Sequence, residues 1–323
     1  MEKVIYNKYI DNLIEESKMG KVRENTIKSV KADLNTLYNY LDKQGIQSEE
    51  EYFRNVTADN IKYMVNELNN KYKPSTLNRK LITFRSYFKY VINNSDLIDI
   101  NYFDESKLYG QDILEDTTKQ KDIISISQVK KLLKVADIRD NEKEQSFEFN
   151  SKRNKAIITI LACYGNRIEE ILSSKFSDIK KTETGIMYID IPKRRVKNKL
   201  HKRIFIANAI KDSLEDYLKV RDTKLLHNDD DYIFVSYKSG KKLNNDYINS
   251  ALSNLCDKAN INKKITCHCF RSICTLALQD NFTPSYLIDE IVGWKKSGDM
   301  QARYSNHLPK EKIDKIISAT NLI

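Results

Sequence analysis

The chain has 323 residues, 40% hydrophobic and 31% charged, with 55 lysines and arginines against 45 acids and a formal net charge of +10. That length suffices for two domains of ordinary size, each with its own core, and the charge favours a polyanionic partner. No apolar run approaches the roughly 20 residues of a membrane helix, the first residues lack a signal-peptide pattern, and five cysteines do not read as a disulfide framework, so a cytoplasmic protein is expected.

Residues 1–103 read as helices only. Ile27, Val30, Leu34, Leu37, Tyr38 and Leu41 recur at helical spacing, and Gly45 supplies a left-handed end. Thr57 is placed to cap a short helix over Ile61, Met64, Val65 and Leu68. Ser75 is placed to cap a longer one, with Leu77, Leu81, Phe84, Phe88, Val91 and Ile92 on its apolar side. Arg79, Lys80, Arg85 and Lys89 fall elsewhere on that circumference, which suits either a solvated face or a surface for an anion.

Residues 104–122 are polar and aperiodic, as a connection between domains would be. Order is expected to resume at Ser125, which has capping-box spacing with Gln128 ahead of Val129, Leu132 and Leu133. Residues 123–323 then mix helices with a small sheet. Ile186, Tyr188 and Ile189 to Ile191 form one strand-like run and Arg203 to Ile206 another, with the charged stretch Lys193 to Lys202 between them as an exposed hairpin tip. The expected fold class is mainly α with a small antiparallel sheet. No Walker loop, dinucleotide-binding glycine fingerprint or carboxylate cluster is present, which removes support from nucleotide hydrolysis and two-metal catalysis. Cys267, Cys269 and Cys274 around His268 fit none of the common zinc spacings, and no metal is expected.

Several dispersed residues carry chemistry. Gly165 breaks an apolar helix that runs from Ala156 to Cys163, and Ile168, Ile171 and Leu172 resume an apolar face, so Arg167 is held at a turn, three residues before Glu170. His268 and Arg271, at i and i+3, share one helix face, from which an imidazole and a guanidinium can converge on a single phosphate. Thr283 and Pro284 are placed to start a helix that Gly293 ends, delivering Trp294, the single tryptophan, to a fixed point. Tyr304 follows ten positions later, one of 19 tyrosines but the only one after Trp294.

In this order Arg167, Lys197, His268, Arg271, Trp294 and Tyr304 resemble the catalytic set of the tyrosine recombinase family, which includes phage integrases and the Xer, Cre and Flp proteins. Gly165, Arg167 and Glu170 match the family's arginine box, with Asn166 in place of the usual apolar residue, and His268 with Arg271 matches its His-x-x-Arg box. Val292-Gly293-Trp294 stands where many members carry Leu-Gly-His. Counted back from Arg203 to Phe205 in the way family members do, the resemblance selects Lys197, with Lys199 as runner-up.

The resemblance implies a two-domain layout: a helical DNA-binding domain (1–103), a linker (104–122), and a catalytic domain with a C-terminal tail helix (123–323), forming a C-shaped clamp. It implies a site-specific recombinase that cleaves and rejoins strands through a 3′-phosphotyrosine at Tyr304, without cofactors. The two arginines would stabilise the transition state, His268 would help with the tyrosine proton, Lys197 would protonate the 5′ oxygen, Trp294 would donate one hydrogen bond, and Glu170 would support the arginine loop. The helix bearing Arg79, Lys80, Arg85 and Lys89 would lie along DNA, with Lys199 as a further contact. The partners implied are double-stranded DNA with an inverted-repeat site and other protomers, giving a tetramer on DNA whose tail helices dock between neighbours. A type IB topoisomerase or a relative that has lost cleavage are the alternatives. The sequence leaves the target site, the accessory proteins and the biological task open.

Overall fold

The structure, a computed structural model, describes residues 2–104, 124–139, 144–195, 201–223, 228, 230–293 and 310–323. It divides into two compact units, Met1–Lys119 and Gln120–Ile323, each with its own hydrophobic core. Apart from Asp104, the expected linker at 104–122 lies outside the described residues.

The first unit is a bundle of α1 (Val4–Lys18), α2 (Glu24–Lys43), α3 (Glu49–Asn55), α4 (Ala58–Lys71) and α5 (Pro74–Asn94). Their apolar stripes meet around Leu34, Leu37, Ile61, Leu77, Phe84 and Phe88, all buried. The start of α4 follows the sequence: Thr57 and Asn60 exchange capping-box bonds. The start of α5 differs from expectation. Lys73 is the N-cap and Pro74 the first helical residue, because proline's fixed φ suits the first turn and its missing N–H costs nothing there. Glu49 is the buried polar hub of the unit: its carboxylate accepts the N–H groups of Ile5 and Tyr6 at the start of α1 and the hydroxyls of Tyr38 and Tyr87.

The second unit contains α6 (Ile126–Val135), α7 (Glu144–Tyr164), α8 (Ile168–Leu172), a sheet of β1 (Ile179–Lys181), β2 (Met187–Ile191) and β3 (Lys202–Phe205), then α9 (Asn208–Asp222), α10 (Asn245–Lys258), α11 (Cys267–Asp280), α12 (Ser285–Val292) and α13 (Lys310–Ala319). The sheet is antiparallel in the order β1-β2-β3, with Ile189 opposite Ile179 on one side and Ile204 on the other. Helix α7 is the central element and packs on α9 and α11. Ser125 and Gln128 form the expected capping box on α6. Helix α12 begins at Ser285 with Pro284 as its N-cap, one residue later than Thr283 would set it. Its end is as expected, with Gly293 in the left-handed region at φ 75°.

Helix α13 packs on its own unit. Ile313, Ile316 and Leu322 join the core, Lys312 pairs with Glu290 at 2.7 Å, and the Asn208 amide donates to the Ile317 carbonyl. In this single chain the apolar face is therefore covered by its own unit, and docking of the tail on a neighbouring protomer stays a proposal. All five cysteines are free, and no helix among the described residues is long and apolar enough to cross a membrane.

Candidate active site

Arg167 sits where the sequence places it, at a break between two packed helices. Helix α7 ends at Tyr164, Gly165 takes φ 55°, and Arg167 is the extended N-cap of α8. Glu170 reaches back to accept the Arg167 N–H at 3.2 Å on Oε2 and its guanidinium at 3.0 Å on Oε1. Arg167 stays partly exposed while the Glu170 side chain is buried. Burial works to raise the Glu170 carboxyl, but Lys202 and Arg167 outweigh it and hold the group below the ordinary carboxylate range.

Arg271 enters from α11. It is buried, and its Nη1 donates to the carbonyl of Gly165 at 2.8 Å and to that of Val292 at 2.7 Å. One guanidinium thereby joins the Arg167 loop, α11 and the end of α12. Burial, then the Arg167 charge, pulls its pKa down to about 10, which leaves it charged at neutral pH. His268 lies one turn earlier on the same helix, exposed, in the first turn after the Thr266 N-cap.

Lys202 is the residue that sequence reasoning missed. It was expected at the exposed end of a hairpin tip, yet it is the first residue of β3, with its side chain 2% exposed and its ammonium 3.1 Å from Glu170 Oε2. The signal was strand parity. Lys202 is two residues before the buried Ile204 and pairs with Ile191, so it shares their inward face. Burial, opposed by Glu170 and reinforced by Arg271 and Arg167, lowers its pKa to about 8. Its stem fills the space beside Gly293, where an added Cβ would come within 2.5 Å of Lys202 Cε.

Three cations from α8, α11 and β3 thus gather around one carboxylate, a surplus of positive charge suited to a phosphate. Asn166, between Gly165 and Arg167, is buried with neither amide atom hydrogen-bonded among the described residues. Lys197, Lys199, Trp294 and Tyr304 lie outside the described residues.

The cations of α5 separate into different environments. The Lys80 ammonium is buried against Asp33 at 3.2 Å, Thr36 at 2.7 Å and the Tyr72 ring. Its expected role as a DNA contact is corrected, because a buried lysine survives only where its charge is paired. Arg79 also pairs with Asp33 but keeps half its surface. Arg85 donates to the Phe103 carbonyl and pairs with Asp104 at 3.0 Å, and Lys89 is exposed.

Known proteins match this chain along most of its length. The profile described as Phage integrase family matches residues 123–311, more than half of the sequence, and that described as Phage integrase, N-terminal SAM-like domain matches residues 7–95. Tyrosine recombinase XerD of Rickettsia bellii (strain RML369-C) is 29% identical over 67% of this chain and 64% of its own length. XerD of Rickettsia conorii (strain ATCC VR-613 / Malish 7) is 29% identical over 55% of this chain and 51% of its own. The chain therefore spans less than two thirds of these relatives. Among solved structures, the XerH site-specific recombinase bound to palindromic difH substrate superposes with a TM-score of 0.65 at 17% identity, covering 91% of this chain and 79% of that one. The lambda integrase(75–356) dimer bound to a COC' core site gives 0.65 at 12% identity and 95% of both chains. The lambda integrase tetramer bound to a Holliday junction gives 0.64 at 14% identity, over 93% of this chain and 76% of that one. With its family profile, its two-unit fold and its paired arginines in agreement, the chain belongs to the phage integrase family, the tyrosine recombinases.

Proposed function

We propose that the protein is a site-specific DNA recombinase that cuts and rejoins strands through a 3′-phosphotyrosyl intermediate. The observation that carries this reading is the bond from Arg271 to the carbonyl of Gly165, which holds two arginines from distant parts of the sequence in one locality with a surplus of positive charge.

In the proposed reaction Arg167 and Arg271 bind the non-bridging oxygens of the scissile phosphate and stabilise the charge of the transition state. A free tyrosine hydroxyl has a pKa near 10, so in this reading Tyr304 gives up its proton with the help of His268 as it attacks phosphorus. The bond to the 5′ oxygen breaks as Lys197 supplies a proton, with Lys199 the alternative donor. Trp294 donates its indole N–H to a phosphate oxygen. Rejoining reverses these steps, with a 5′ hydroxyl displacing the tyrosine, so the phosphodiester's energy is retained and neither metal nor nucleotide takes part. Glu170 supports Arg167. Residues 1–103 act as the helical DNA-binding domain and 123–323 as the catalytic domain, on duplex DNA with an inverted-repeat site that assembles four protomers.

The test uses a duplex selected from random-sequence DNA for binding to the protein, then nicked to trap the covalent adduct. Wild type should form the adduct in excess EDTA and without ATP, and Tyr304→Phe should bind the duplex without forming it. An adduct with Tyr304→Phe, or a strict need for magnesium, would overturn the reading. Exchange of strands between two marked duplexes distinguishes a recombinase from a topoisomerase.

A further inference from the structure

We propose that Lys202 is a positioning residue that keeps Arg167 available to the phosphate by occupying the second oxygen of Glu170. This rests on the reading that Arg167 binds the scissile phosphate.

The geometry around the carboxylate is the argument. An arginine beside a carboxylate tends towards a forked pair, in which two N–H groups meet two oxygens and both charges are spent on each other. Here the fork is not made. Glu170 Oε1 takes a single guanidinium nitrogen of Arg167, while Oε2 accepts the Lys202 ammonium at 3.1 Å and the Arg167 backbone N–H at 3.2 Å. The remaining guanidinium N–H groups of Arg167, on a side chain one third exposed, are left to face an incoming anion.

Burying a lysine is costly, and apolar groups of similar volume usually do as well or better for stability. Lys202 is nevertheless 2% exposed, with Glu170 as its paired carboxylate. Gly293 provides the room, since any Cβ there would strike the lysine stem at 2.5 Å. The side chain thus runs from β3 past Gly293 at the end of α12 to the carboxylate of Glu170 on α8. It also maintains the local charge surplus. Without it, both Glu170 oxygens would be open to the Arg167 guanidinium, and the fork that neutralises that arginine would form.

The experiment is single-turnover cleavage of the nicked, binding-selected duplex by wild type, Lys202→Met, Lys202→Met with Glu170→Gln, and Arg167→Ala, alongside DNA affinity and thermal melting. Lys202→Met should cleave about 10- to 100-fold more slowly with affinity changed less than about threefold. Adding Glu170→Gln, which removes the charge that clamps Arg167, should restore at least about a third of the lost rate in logarithmic terms. Neutralising both partners of a buried pair can restore stability by itself, so rates are compared only among variants that melt well above the assay temperature. There a merely structural lysine would leave the single variant's rate unchanged. Should Lys202→Met melt below the assay temperature, Lys202→Gln takes its place under the same criteria. Cleavage by the single variant within about threefold of wild type, or no recovery in the double variant, overturns the proposal. If Arg167→Ala itself cleaves like wild type, the underlying site reading has failed; if only Arg167→Ala is impaired, this proposal alone has failed.

Discussion

Arg271 and Gly165 are 106 residues apart in sequence and joined by a 2.8 Å hydrogen bond from guanidinium to carbonyl. The approach is close enough that a Cβ on Gly165 would lie 3.3 Å from the Arg271 Cα and 3.3 Å from the Cys274 Cβ. The glycine also occupies φ 55°, where a side chain costs about 1–2 kcal/mol.

Gly165→Ala is therefore expected to lower stability by about 2–3 kcal/mol, the backbone cost plus displacement of α11. Cleavage should fall more than DNA affinity, because the two arginines move apart while the basic surface survives. Thermal melting and single-turnover cleavage measure the two effects, and wild-type behaviour in both would mean that the loop does not set the arginine spacing.

Asn166→Leu is expected to stabilise the protein. Both amide atoms are buried with no partner among the described residues, and an unmet amide costs about 1–3 kcal/mol that a leucine of similar shape does not. A rise in Tm is the expected result, and an unchanged or lower Tm would mean that the amide is satisfied.

The Lys202 pair predicts a pH dependence with a definite sign. Its folded pKa of about 8 lies below the ordinary lysine value of 10.5, so below pH 8 both folded and unfolded chains carry the proton and the burial penalty stands in full. Between about 8 and 10.5 the unfolded chain binds more protons, and stability rises with pH. Urea melts at about pH 7.5 and about pH 9.5 should show wild type gaining about 2 kcal/mol relative to Lys202→Met. A difference that stays flat or shrinks would show that the ammonium is not desolvated.

Lys80 and Lys89, two and a half turns apart on α5, should respond oppositely to alanine. Lys80→Ala leaves Asp33 short of a partner and should cost about 1–3 kcal/mol with little change in the salt dependence of DNA binding. Lys89→Ala should leave the melt unchanged and, where Lys89 meets a phosphate, reduce the slope of log affinity against log salt by about 1. Identical salt slopes for wild type and Lys89→Ala would remove that face from the DNA surface.

Ile316→Ala tests whether α13 belongs to the core. The residue is 4% exposed, and its truncation should cost about 2–5 kcal/mol of unfolding free energy. A melt unchanged within about 0.5 kcal/mol would show that the tail helix is peripheral.

Local signals were legible in the sequence. The glycine break before Arg167, the left-handed cap at Gly293 and the box at Ser125 and Gln128 depend on residues within one turn of each other, and the structure contains all three. Lys202 and Lys80 were misplaced because a lysine's intrinsic preference is for water, and only a strand's parity or a buried Asp33 on another helix reverses it. Strand β1, three residues long, was missed because so short a run has no periodicity of its own. The docking of α13 could not be read from its stripe, since an apolar helix face states that it will be covered without stating by what.

The contacts that hold the second unit together also set an order of events as the chain folds. The first unit is closed by links such as Lys80 to Asp33, 47 residues apart, whereas the Arg167 loop is fixed by a partner 106 residues further along. Long loops close late, because their entropy must be met before the contact rewards it. Helices α7 and α11 can form early without any usable pair of arginines between them. A chain that has folded only in part therefore carries its full set of lysines and arginines before Arg167 and Arg271 are held together.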